Sequence, residues 1–184
     1  MTENQVEEAI KRAKPGVTQY IEIMKLFSQT NVARDQIFQR KYNAFYRIRQ
    51  RPVEWYKTYY EYMEHLKSHA VTFTVVLRYL KKELKRYEPS FSSKLVATLD
   101  PSKPVWDKYV LNNIHLPAPS YNSPSKFDEA EAIYQKIEDW FLSFERSVEG
   151  AMIIRKFDEL ISSHIDISNT KKIDFWLWQT RPHD

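Results

Sequence analysis

A lysine and an aspartate with the means to do chemistry stand in residues 88–113, EPSFSSKLVATLDPSKPVWDKYVLNN. Lys94 falls in the first turn or two of a short helix. Asp107 falls at the start of the next one, just after Pro104-Val105-Trp106. A lysine withdrawn from water, or paired with a base, becomes a neutral amine and a nucleophile toward electrophilic carbon. A carboxylate at the facing end of the same helical hairpin can take the proton and stabilise positive charge as a bond breaks. The plain alternative for the same residues is a solvated lysine and a carboxylate favoured at a helix start by the helix dipole.

The elements that must position this pair read as helices almost throughout. Residues 3–14 form a polar surface helix stopped by Pro15-Gly16. Residues 17–29 follow with Val17, Tyr20, Ile21, Met24 and Phe27 on one face. These first 30 residues are expected at the periphery. Asn31 is placed to cap a helix running to about Arg49, and Pro52 starts another, rich in tyrosine. Residues 70–80 are rich in β-branched side chains. Leu77, Leu80 and Leu84 nevertheless carry a helical spacing into the charged run Lys81 to Arg86, so a helix is expected. Residues 115–124 hold three prolines and form the main irregular loop. Ser125 with Asp128 reads as a capping box opening a helix to about Glu149, which Gly150 breaks. Further helices are expected over 151–162 and, buried on most sides, over about 170–180. The fold class is all-α, a single compact multi-helix domain of about eight to ten helices with a central helical hairpin.

Composition narrows the function classes. Two glycines in 184 residues argue against glycine-rich phosphate loops and turn-dense β folds. The absence of cysteine removes disulfides and thiolate chemistry. The polar N-terminus lacks the features of a signal peptide, and no apolar run approaches the ~20 residues that span a membrane. A soluble cytoplasmic protein is expected. The net charge of +4 is unevenly spread. Residues 31–94 carry 14 Lys and Arg against 6 Asp and Glu, a net +8, while residues 95–184 carry 10 against 14, a net −4. Such a basic half suits a polyanion, and it equally suits two halves that face one another.

The residues Pro89, Phe91, Lys94, Leu95, Val96, Pro104, Val105 and Asp107 resemble the core motif of the helix-hairpin-helix DNA glycosylase superfamily. That motif has a tight hairpin, a lysine opening a helix of small and aliphatic residues, a loop, and then Pro-Val-Asp entering the next helix. The chain is also similar to a group of uncharacterised bacterial proteins with an S-F-x-S-K…P-V-W-D pattern and a K-K-I-D-x-x-L-W segment. The resemblance covers about 26 of 184 residues. It implies a DNA glycosylase or abasic-site lyase with Lys94 as nucleophile, Asp107 as the essential aspartate and double-stranded DNA as partner. The target base would be flipped into an aromatic pocket. Where the family hairpin carries two glycines, this chain has Pro89-Ser90-Phe91-Ser92, so the hydroxyls of Ser90, Ser92 and Ser93 stand in as phosphate donors. Lys81, Lys82, Lys85 and Arg86 lead into the hairpin as the expected phosphate contacts. Asp107 follows Lys94 by 13 residues, fewer than the family norm, and Trp106 intervenes before the aspartate. A non-catalytic nucleic-acid-binding module and an α-helical protein-interaction domain are the alternatives.

Three further groups carry weaker signals. Glu61, His65 and His69 recur every four residues and could offer two imidazoles and a carboxylate to a metal, but solvated or hydrogen-bonded histidines are the expected reading. No metal or cofactor is assigned. Arg34, Arg40, Lys41, Arg47, Arg49 and Arg51 run beside Tyr42, Phe45 and Tyr46. They read either as a nucleic-acid face or as a core stripe with a solvated edge. Asp174 lies among Ile173, Phe175, Trp176 and Trp178. Lys171 and Lys172 lie too near it in sequence to share its face, so a structural salt bridge to an arginine of another helix is expected, with membership of the site as the alternative.

Overall fold

A computed structural model describes residues 1–120, 122–162 and 167–180. Among them the chain forms nine α-helices and no strand, in one compact all-α arrangement. The helices are α1 (Glu3–Gln29), α2 (Gln36–Phe45), α3 (Val53–His65), α4 (Phe73–Leu84), α5 (Pro89–Leu99), α6 (Lys108–Asn113), α7 (Lys126–Glu145), α8 (Val148–Leu160) and α9 (Asn169–Gln179). None of the described helices is long and apolar enough to cross a membrane.

The first helix departs most from the sequence reading. Thr2 caps it and receives a bond from the Gln5 amide, while Gln5 Oε1 accepts from the Thr2 amide. It then runs through Pro15 and Gly16 without a stop. The reason is its buried stripe, Val6, Ala9, Ile10, Ala13, Val17, Tyr20 and Ile23, which is continuous across the proline. Burying that face outweighs the roughly 3 kcal/mol that a proline costs inside a helix. Lys11, whose carbonyl loses its amide partner, and Pro15 are both exposed, where water can substitute. The N-terminal segment is therefore central and not peripheral: α1 packs on α2, α8 and α9.

Other boundaries shift for local reasons. Asp35, not Asn31, caps α2, accepting from the amides of Ile37 and Phe38. Asn31 closes the preceding turn instead, through Ala33. The helix ends at Phe45, and the chain turns through left-handed Arg47 and Gln50 (φ 54° and 53°). Thr72 caps α4, the helix expected over 70–80. Ser125 makes no amide cap, its hydroxyl donating to Glu129. The break after α7 falls at Arg146-Ser147, where Ser147 caps α8 through the Gly150 amide, so Gly150 lies inside a helix and not between two.

Two apolar clusters make the core. One gathers the buried faces of α1 and α6–α9, with Phe73 and Leu77 of α4. The other gathers α2, α3 and α5, with Val76 and Leu80 of the same α4. The loop between α5 and α6 crosses from one to the other, since Val105 belongs to the second and Trp106 to the first. Lys94 and Asp107 thus flank a boundary between clusters. Helix α9 is buried on most sides, as expected, and packs against α1, α6, α7 and α8.

Candidate functional site

The tight turn of the helical hairpin is at 85–88, between α4 and α5, and not at Pro89–Ser92, which forms the first turn of α5. Lys85 takes the left-handed conformation (φ 56°) that a glycine would adopt without strain. Glu88, only 6% exposed, pins the turn. It accepts from Trp55 Nε1 at 3.3 Å, Arg51 at 3.3 Å and Arg86 at 3.2 Å. Burial pushes its carboxyl up, and the two arginines pull it back. Ser92 and Ser93 are corrected by this geometry. Both are buried, Ser92 donating to the Glu88 carbonyl and Ser93 donating to the Ser90 carbonyl while accepting from the Trp106 amide. Their hydroxyls hold the corner together and cannot reach a phosphate.

Lys94 and Asp107 line one cavity of about 460 Å³, within the size range of small-molecule sites. The Lys94 ammonium is held by Ser90 Oγ at 3.1 Å and the Tyr46 carbonyl at 3.4 Å. Among the described residues no carboxylate lies within ion-pair distance of it. Burial lowers its pKa to about 8; the charges of Asp107 and Asp174 oppose that shift, and those of Lys171 and Arg47 add to it. Asp107 caps α6, one oxygen accepting from the amides of Tyr109 (2.8 Å) and Val110 (2.9 Å). Its other oxygen accepts from Trp178 Nε1 at 2.6 Å, leaving acceptor capacity toward the cavity.

Residues distant in sequence complete the cavity. Phe45, Tyr46, Phe91, Tyr109, Phe175 and Trp178 supply aromatic walls. The Arg47 guanidinium lies over the Trp178 ring, 4.7 Å from its centre. Lys171 and Asp174 enter from α9 as a buried ion pair at 2.6 Å. This corrects the expectation of an arginine partner: residues three apart on a helix are neighbours on one face. That spacing, and the four-residue step from Asp174 to Trp178, were the available signals. Tyr46 and Arg47 had no comparable motif.

The basic residues before the hairpin divide. Lys81, Lys85 and Arg86, joined by Arg51, Tyr87, Glu88 and Lys126, line a second concavity of about 410 Å³. Lys82 lies outside it, beside Glu83. Phe91 links the two sites, with the Arg51 guanidinium and the Lys94 ammonium each 4.9 Å from its ring centre. In the earlier arginine-rich run, Tyr42 is wholly core, sharing its hydroxyl with Tyr59 and Thr98. Glu61, His65 and His69 are exposed, with the His69 ring bonded to the His65 carbonyl. Among the described residues no group of three acidic or histidine side chains is arranged to hold a metal. No family model, curated protein or solved structure matches the chain.

Proposed function

We propose that the protein acts on damaged DNA as a glycosylase or abasic-site lyase, with Lys94 as its Schiff-base-forming nucleophile. The observation that carries this reading is a buried lysine, titrating near 8, in the same aromatic-lined cavity as a carboxylate. A useful fraction of such an amine is neutral at physiological pH. It adds to the C1′ aldehyde of a ring-opened abasic sugar, and the carbinolamine loses water to give an imine. On an intact nucleotide the Lys94 nitrogen bonds to C1′ as the bond from C1′ to the base breaks; the base leaves with the bonding electron pair, and the proton shed by the new secondary amine neutralises it. The Asp107 side chain, in the same cavity, faces the positive charge that develops on the sugar. The aromatic walls suit a base turned out of the helix, and the basic concavity beside Phe91 suits the backbone phosphates.

Borohydride trapping on a duplex with one abasic site tests this. The wild type is expected to give a covalent adduct, and Lys94→Ala to lose it by at least about 100-fold. The variant is an essential control because any exposed amine can react with an aldehyde. Equal trapping in both proteins, or none in either, would remove lyase chemistry at Lys94. The basic concavity would then favour the second reading, a nucleic-acid-binding module without a covalent step. Among the described residues, the large exposed apolar side chains Met1, Ile37, Val53, Val75, Leu142 and Val148 fall at the N-terminus and on five separate helices.

A further inference from the structure

Lys171 is a costly residue to place where it is. It is 6% exposed, and its ammonium sits among the rings of Tyr20 (5.1 Å), Phe175 (5.2 Å), Tyr46 (5.7 Å) and Phe45 (5.8 Å). Its salt bridge joins Asp174, itself 7% exposed. A buried ion pair contributes little stability compared with an apolar pair of the same volume. This one opens onto the cavity that holds Lys94, and the two ammonium groups share a ring: Lys94 Nζ lies 5.8 Å from the Tyr46 centre and Lys171 Nζ 5.7 Å.

We propose that Lys171 is a positioning residue for Lys94: by holding Asp174 in a fixed ion pair, it keeps the cavity's second carboxylate from pairing with the Lys94 amine. The inference rests on Lys94 being the nucleophile. Were Asp174 unpartnered, the nearby Lys94 would answer its charge, remain protonated and lose nucleophilicity. Four rings and a carboxylate confine the Lys171 charge, so it cannot swing away. Burial works against that charge and Asp174 overrides it, so Lys171 keeps its proton at pH values where Lys94 gives its own up. The titratable and charged groups facing Lys94 are Tyr46 and Arg47 after α2, Asp107, Lys108 and Tyr109 at the start of α6, and Lys171 and Asp174 on α9. The α1 wall, Ala13, Pro15, Gly16 and Gln19, brings no charge.

The test needs no DNA. Folded protein is acetylated with limiting acetic anhydride across pH, and Lys94 modification is read by peptide mass spectrometry against exposed Lys82. The expected wild-type midpoint is about 8. Lys171→Met is expected to raise it by about one pH unit and Asp174→Asn to lower it by a similar amount. The double variant, which removes both charges, is expected to return to within about half a unit of wild type. If the buried charge left by one single variant prevents folding, the shift of the other single variant away from both the wild type and the double variant decides the test. Midpoints that ignore the single substitutions, or that move the same way in both, would overturn the positioning role alone. A wild-type midpoint near the ordinary lysine value would overturn the nucleophile as well. Midpoints that move as expected in a protein that never traps abasic DNA would leave the positioning role standing and remove the lyase.

Discussion

At the scale of single residues, the molecule holds Lys94 at a cost in stability. Its amine titrates near 8 in the fold and at 10.5 in an ordinary environment. Below pH 8 the folded and unfolded chains both carry the proton, and the burial penalty is present in full. Between pH 8 and 10.5 the folded form gives it up first, so the penalty lifts as pH rises. Lys94→Met is therefore expected to stabilise the protein at pH 7 by about 1–3 kcal/mol, less than the full shift because the bonds to Ser90 and Tyr46 are lost. The gain should fade toward pH 10. Urea unfolding at both values checks it, and an equal gain at the two would refute the buried charge. A substitution that abolishes chemistry while strengthening the fold is the signature of a residue kept for its reactivity.

At the scale of elements, the two glycines make opposite predictions. A Cβ on Gly150 would lie 1.9 Å from the Phe144 carbonyl oxygen, a backbone atom that cannot move without unmaking the α7–α8 corner. Gly150→Ala should cost about 3 kcal/mol or more. A Cβ on Gly16 would meet the Phe175 ring at an ordinary 3.5 Å, so Gly16→Ala should gain about 0.5–1 kcal/mol of helix stability. Thermal melts of the two variants distinguish them, and equal melts would show that neither site is read correctly. The same glycines mark where the sequence was legible. Glycine and proline punctuate a chain read in one dimension, yet Pro15-Gly16 and Gly150 are helical here because each is settled by a neighbouring helix. Most of the helices are legible from local spacing, as are the places of Lys94 on α5 and of Asp107 at the cap of α6. Lys171 and Asp174 were not read as partners, although their spacing allowed it. Tyr46 and Arg47 reach the cavity only through the meeting of α2, α5 and α9, which no local pattern encodes.

At the scale of the whole molecule, the excess charge of residues 31–94 gathers part of its cations, Arg51, Lys81, Lys85 and Arg86, in one concavity, where Lys126 of α7 joins them. If backbone phosphates bind there, affinity for a duplex carrying an unreactive tetrahydrofuran abasic analogue should fall steeply with salt. Lys81→Ala and Lys85→Ala should each flatten the log–log slope by about 0.9, while Lys25→Ala on α1 should leave it unchanged. Fluorescence anisotropy across salt concentrations gives these slopes, and unaltered slopes in the two cleft variants would exclude the concavity as the phosphate contact. The place of α9 has a consequence for the timing of assembly. Lys94 and Asp107 are synthesised well before Lys171, Asp174 and Trp178, and the cavity closes only when α9 docks against α1 and α6. A nascent chain that has made Lys94 still shows water an ordinary, protonated lysine. A finished molecule whose α9 lifts away returns to that condition, so the lowered pKa of Lys94 lasts only while the whole fold is intact. A partly folded copy therefore offers a Lys94 amine no more reactive than its other exposed lysines.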